Sequence, residues 1–283
     1  MPVTFYPANH TYENDRGERY ISVTTLIGKY KAPFDGEYWS LYKAIKLVLE
    51  RKGIWDAFKK KAGGWDKVVA YYKSLTMYPY NGEIQIVKQR FLDNWAETGK
   101  VAREIGTAYH KKMEDTGLQA GTQNIDGKHV PVFNNTDLIT FQEFSRDGAH
   151  QEVLLYNDQY KLAGQADKVI KFGRKVNIRD YKTSSKIEME AFQSTTMKHP
   201  IENLPACNFY EYSLQLSIYG WMLEQRGYEV GNLAIEHVPD GHKLYPVEYL
   251  KQDVERLLRH YAGSKNLSVL PNRGTQNNSS FAY

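Results

Sequence analysis

The segment AGQADKVIKFGRKVNIRDYKTSS, residues 163–185, constrains the fold more than any other stretch of the chain. Two runs rich in Val, Ile and Phe flank Gly173-Arg174. A glycine at the first central position of a two-residue loop predicts a type II′ β-hairpin. In that register paired positions sum to a constant. Asp167 is then expected opposite Asp180, Val169 opposite Ile178, and Gln165 opposite Lys182. One face of the hairpin starts apolar and ends in two carboxylates and an ammonium. Like charges facing each other across a strand pair repel, and half-burial makes the repulsion worse. Lys182 offers one compensating charge. A divalent cation held by oxygen ligands, Mg²⁺ or Mn²⁺, would offer two more. The alternative is a surface hairpin whose charged cluster binds nothing. A one-residue slip would also carry Asp180 to the other face.

The rest of the chain changes texture around this hairpin. Residues 3–23 read as a small β-unit, VTFY and RYISV flanking the turn-rich NDRGE, with Ser22 or Thr24 capping a short helix, TTLIGKY. Apolar spacings of three and four predict helices over 38–52, 55–76 and 84–116, interrupted at Gly53, Gly63-Gly64 and the Pro79/Asn81-Gly82 turn. Residues 119–136 read as a polar loop and 136–148 as a further helix. Strands are expected over 151–156, 160–172, 175–182, 232–238 and 243–249. Between them lie a loop over 183–204 and a helix over 208–226. A helix over 250–263 follows, then a frayed polar tail after Pro271. A helical first half followed by strands and helices predicts a mixed α/β (α+β) fold: a central mixed sheet flanked by helices, with a helical N-terminal elaboration. It is read as one domain over 1–283. Residues 1–100 form the β-unit and elaboration, 101–265 the core and 266–283 the tail.

Composition narrows the partners. Of the 283 residues 41% are hydrophobic and 25% charged, ordinary for a globular protein. No apolar run approaches the ~20 residues of a membrane span, so no membrane partner is expected. The N-terminal MPVTFYPANHTYEN has neither a basic nor an apolar leader segment. Cys207 stands alone, which excludes an internal disulfide or a multi-cysteine iron–sulfur cluster; a reducing, cytoplasmic setting is expected. The net charge of +4 permits a polyanionic partner without demanding one. The 22 tyrosines suit base stacking and phosphate contacts, and equally suit half-buried surfaces.

Two motifs flank the hairpin. In GTAYHKKMED, Gly106, His110 and Glu114 form one stripe of a helix; on spacing alone this reads equally as a packing glycine beside a satisfied histidine. In YSLQLSIYGWMLE, Gln215 and Tyr219 lie one turn apart on a helix whose core face is Leu214, Ile218 and Trp221.

Together these motifs resemble the RecB-like branch of the PD-(D/E)XK nucleases. The G-x-x-D and D-Y-K-T elements of that family correspond to Gly164–Asp167 and Asp180–Thr183. The resemblance implies a restriction-endonuclease-like core and a phage-type member without an iron–sulfur cluster. By that resemblance Asp167 and Asp180 ligate Mg²⁺ or Mn²⁺, His110 is a third ligand, and the Tyr181 backbone carbonyl a fourth. Lys182 orients or deprotonates the attacking water. Gln215 and Tyr219 sit near the metal and the DNA backbone. Glu152 matches an acidic position frequent in the family, as a ligand through water or a structural group. Glu114, Gln165 and Thr183 are supporting positions. The N-terminal S-V-T resembles a strand-guiding element of single-strand exonucleases, making Ser22 and Thr24 candidate phosphate contacts. Arg103, Lys111 and Lys112 are candidates for steering the strand.

The implied activity is metal-dependent hydrolysis of DNA, with an exonuclease favoured over an endonuclease. The setting is phage biology or DNA repair and recombination, with a phage or host replication or recombination partner. Two other readings stay open: a non-catalytic DNA-binding or recombination-accessory protein of the same fold, and a Mg²⁺-dependent nucleotide phosphohydrolase.

Overall fold

In the computed structural model, residues 3–125, 127–134, 144 and 146–265 are described. The chain opens with strands β1 (Val3–Tyr6), β2 (Thr11–Asn14) and β3 (Arg19–Ser22), followed by α1 (Val23–Lys29). Helices α2 (Gly36–Arg51), α3 (Trp55–Ala62), α4 (Val68–Ser74) and α5 (Asn81–Ala120) follow. Then come β4 (Thr122–Ile125), β5 (Lys128–Asn134), β6 (Gly148–Asn157), β7 (Leu162–Phe172) and β8 (Lys175–Lys182). Helix α6 (Asn208–Glu224), strands β9 (Glu229–His237) and β10 (Lys243–Val247), and α7 (Lys251–Ser264) complete the order. The fold is mixed α/β, a curled mixed sheet flanked by helices. Among the described residues no helix is long and apolar enough to cross a membrane.

Strand β7 organises the sheet. Along one edge it pairs antiparallel with β6 for nearly its whole length. Along the other edge it has two partners in succession. β3 runs parallel to it at Leu162 and Ala163, and β8 runs antiparallel from Lys168 to Phe172. Gly164 to Asp167, the G-x-x-D element, therefore falls where the sheet forks. β8 continues away from β7 alongside β9, in parallel register from Lys175↔Glu229 to Lys182↔His237.

The hairpin register is as expected: Val169 faces Ile178 and Phe172 faces Lys175. Gly173 has φ 59°, whereas Arg174 keeps a negative φ. A type II′ turn needs that combination, and glycine adopts the first position without steric cost. The ladder ends at Lys168↔Arg179, so neither the expected Asp167–Asp180 pair nor the Gln165–Lys182 pair belongs to it.

The chain divides into two compact units, Met1–Ala32 with Tyr109–Tyr283, and Pro33–Ala108. The core of the first joins α1, α6 and α7 to the sheet through Leu26, Ile178, Leu214, Ile218, Ile235 and Leu257. α6 was expected to bury one face, yet Ser213 to Leu223 are all buried. The cause is encirclement, since α1, α7, β6, β8 and β9 all pack against it. The second unit closes on Leu41, Ile45, Val48 and Leu49 of α2, with Trp55, Phe58, Val69 and Ile84. The Asp35 carboxylate caps α2 by accepting from the Tyr38 amide at 2.8 Å.

One expectation needs correction. Within the segment expected as a loop over 119–136, β4 and β5 form a hairpin. Its alternation (Val130 and Val132 buried, Pro131 exposed) is short and carries a proline, which masks a strand signal. The interruption expected at Gly63-Gly64 is present: α3 ends there, and a 3₁₀ turn, Trp65–Lys67, leads into α4. Of the two expected caps, Ser22 is the one that caps α1, its hydroxyl accepting from the Thr25 amide at 3.1 Å. The helix expected over 136–148 falls mostly outside the described residues, and so does the tail after Pro271.

The fork leaves no room above Gly164. A Cβ there would stand 2.8 Å from Tyr219 Cε1, 2.9 Å from its hydroxyl and 3.1 Å from Val23 Cγ2. Gly164→Ala is expected to destabilise the fold by about 1–3 kcal/mol, the usual cost of overpacking a core. Urea denaturation checks this, and an unchanged midpoint would contradict the packing.

Candidate metal centre

The site is built at the fork by β6, β7 and β8, with α5 supplying one side chain. On β6 the pairs Gln151↔Lys168 and Val153↔Ala166 place Glu152 opposite Asp167. On β8, Asp180 follows Arg179, the last residue paired with β7, and it lies near enough to Asp167 for the two charges to act on each other. Glu152, Asp167 and Asp180 thus come from three neighbouring strands.

Asp167 is held from two directions. Its Oδ2 accepts the Tyr181 amide at 2.7 Å, where the β7–β8 ladder has ended. Its Oδ1 lies 3.2 Å from His110 Nδ1. Glu152 has φ 51°, a left-handed conformation that costs a non-glycine residue about 1–2 kcal/mol. The strain interrupts the β6–β7 ladder at this residue, and Gln165 Nε2 donates to the freed Glu152 carbonyl at 3.2 Å. Gln165 therefore supports the backbone that carries the acid.

His110, Glu152 and Asp167 each offer a ligand atom, and these atoms all lie within 4.8 Å of one another. This group differs from the set expected from the sequence. Glu152, read as a supporting position, belongs to it, whereas Asp180 lies outside it. Asp180, only 2% exposed, is tied elsewhere. Its Oδ2 is 2.5 Å from Lys182 Nζ, and its Oδ1 accepts from Gln215 Nε2 at 3.1 Å. Gln215 Oε1 accepts from Lys182 at 3.1 Å, and its amide also donates to the Tyr219 hydroxyl at 3.3 Å. Gln215 thus closes a ring with Asp180 and Lys182.

The remaining expected residues surround this centre. Glu114 is half-buried on α5, and its charge contributes to raising the Glu152 pKa. Thr183 follows β8 and is half-buried. The ring of Tyr181 is buried on the opposite face of the sheet, where Lys168 Nζ lies 4.7 Å from its centroid. Lys111 is exposed and paired with Asp115 at 3.5 Å, and Lys112 is exposed. Arg103 and Thr24 are exposed as well.

Sequence reasoning missed the polar group under Tyr181. Lys168 is 2% exposed and 3.9 Å from Glu236, which is 2.8 Å from His242. The available signal was Lys168 itself, placed by the hairpin alternation on the face that buries Tyr181.

The electrostatics suit a cation. Burial pushes the Glu152 carboxyl up to about 8, with Asp167 and Glu114 adding to the rise against the opposing pull of His110. Burial alone would lower His110, but the hydrogen bond and charge of Asp167, with Asp180 and Glu152 behind them, carry it up to about 9. Burial and Asp167 raise Asp180 to about 6 against Lys182. Burial opposes the charge on Lys182, but the surrounding acids outweigh it, so its pKa is raised and it stays an ammonium. A cluster that holds extra protons for want of positive charge is one a divalent ion can occupy by displacing them. One nitrogen and two carboxylate oxygens form a donor set that a divalent ion can use.

The chain matches no family model and no curated protein.

The proton content of the centre fixes two pH effects. His110, raised from 6.5 to about 9, contributes stability that is complete below 6.5 and lost as pH rises through 9. Glu152 keeps its proton in the folded chain up to about 8 but releases it near 4.5 when unfolded, so stability falls across that window too. With chelator present, the melting temperature should fall from pH 5 to 8.5. Mn²⁺ affinity should rise by roughly tenfold or more per pH unit over 6–8 as those protons are displaced. Thermal melts with and without Mn²⁺ check both trends; an affinity independent of pH would contradict the ligand set.

Proposed function

We propose that this chain is a metal-dependent DNA nuclease of the PD-(D/E)XK type, its sheet being the restriction-endonuclease-like core of that group. The observation that carries the reading is the convergence at the fork. Glu152, Asp167 and Asp180 come from three neighbouring strands, His110 faces Asp167, and Lys182 is fixed beside Asp180. Phosphodiester hydrolysis needs positive charge near the phosphate and a positioned water, and this donor set can gather both.

His110, Glu152 and Asp167 would hold Mg²⁺ or Mn²⁺, with Asp180 adjacent. A bound divalent ion supplies a lowered water pKa and offsets the charge that builds on the phosphate. Everything else falls to the chain. Lys182, its charge favoured by the acids around it, donates hydrogen bonds and steadies developing negative charge. Gln215 fixes Lys182 and Asp180 relative to each other through its two amide ends. Tyr219 lies over Gly164 and orients the Gln215 amide through its hydroxyl. The Tyr181 amide holds one oxygen of Asp167 and leaves the other facing His110.

The activity is expected to be exonucleolytic. Purified chain with Mn²⁺ or Mg²⁺ should degrade end-labelled DNA. Asp167→Asn and Lys182→Met should each cost at least about 100-fold in rate, within the usual range for a group acting on the transition state, while keeping a cooperative melt. Undiminished cleavage by both variants would remove the assignment. DNA binding without metal-dependent turnover would make the chain an accessory binder, and turnover confined to free nucleotides would make it a phosphohydrolase.

A further inference from the structure

A groove of about 440 Å³ lies in the unit Pro33–Ala108, and none of its lining residues belongs to the metal centre. It is formed by Tyr72 and Lys73 at the end of α4, by Leu75, Thr76, Met77 and Tyr78 in the following turn, and by Asn81 at the start of α5. Its aromatic part is closely packed. Tyr72 and Tyr78 meet edge-to-face with centroids 5.9 Å apart, and Tyr78 is held by Phe58 at 5.4 Å and Tyr80 at 5.8 Å. The Tyr72 hydroxyl donates to Asn81 Oδ1, so the Asn81 amide nitrogen remains as a donor on an exposed residue. Met77 is 91% exposed, an apolar side chain standing in water. Lys73 is exposed, and no ion pair engages it among the described residues.

The charge of the unit indicates the sign of the ligand. Pro33–Ala108 holds 13 Lys and Arg against 9 Asp and Glu, which is the whole excess of the chain, 37 against 33. It also holds four of the five tryptophans. The groove combines an ammonium for a phosphate, an amide donor for a base-edge acceptor, and a thioether and ring for a flat apolar face. An acidic peptide would engage Lys73 but leave Met77 and the rings without a partner. Duplex DNA offers phosphates but keeps its base faces stacked on one another.

We propose that this groove binds one nucleotide of single-stranded DNA, its base against Met77 and Tyr78 and its phosphate against Lys73. The inference rests on the reading of the chain as acting on DNA. It adds a second contact on the strand, separate from the metal centre.

The test uses the full chain in chelator, so that no turnover occurs, with fluorescein-labelled oligothymidylate followed by anisotropy. Lys73→Glu and Met77→Ser change exposed side chains, and thermal melts verify that the fold is kept. Each should weaken binding by about tenfold or more, the scale of losing one stacked base or one phosphate contact. Lys73→Glu should also reduce the dependence of log K on log salt by about 0.7. A duplex of the same length should bind without sensitivity to Met77→Ser. Unchanged oligothymidylate binding by both variants, or none by the parent chain, would overturn the proposal. Binding that both variants lose, in a chain that never cleaves DNA, would keep the groove and remove the nuclease. Cleavage with binding untouched by either variant would do the reverse.

Discussion

The hydrogen bond from the Tyr181 amide to Asp167 Oδ2 joins the parts of this structure. Where β8 leaves β7, the amide of a buried strand residue loses its ladder partner. An unsatisfied buried donor costs about 1–3 kcal/mol, and the Asp167 carboxylate fills that role. The same bond orients the carboxylate, turning Oδ1 towards His110. A need created by sheet topology thus places the central acid. The other two acids come from the neighbouring strands, Glu152 at the break in the β6–β7 ladder and Asp180 just past the end of the β7–β8 ladder.

Much of this was legible in the residues. Gly173 fixed the hairpin turn, and with it the pairing of Val169 with Ile178. Alternation along β7 and β8 separated the face of Asp167 and Asp180 from that of Lys168 and Tyr181. The 3.6-residue spacing around His110 placed it on a helix, and that helix brings it to Asp167. What could not be read depended on long-range partners. Nothing near Lys182 says that its strand departs from β7 to follow β9. Nothing near Glu152 says that its backbone turns to φ 51°. The β4–β5 hairpin hid behind Pro131 and its polar neighbours, and the burial of α6 on all sides depends on elements far away in sequence.

The site trades stability for charge. Asp167 and Asp180 are buried, Glu152 is strained, and the ion pair of Lys182 among the described residues is with Asp180. Each feature costs free energy in an empty site, and a bound cation would relieve the repulsion among them. Gln215 fits this arrangement because an amide can donate to Asp180 and accept from Lys182 without adding charge. A carboxylate there would add another anion to a cluster already short of positive charge.

The divided edge of β7 also bears on local opening. Leu162 and Ala163 are braced by β3, and Lys168 to Phe172 by β8, while Gly164 to Asp167 between them are paired on the β6 side alone and interrupted there at Glu152. A strand in the middle of a sheet normally exchanges its amide hydrogens only on global unfolding. This one has a weak centre between two secure ends, so exchange there reports small excursions of the site and not loss of the fold. An ion bridging β6, β7 and α5 would clasp that centre, so protection of these few amides would register occupancy directly.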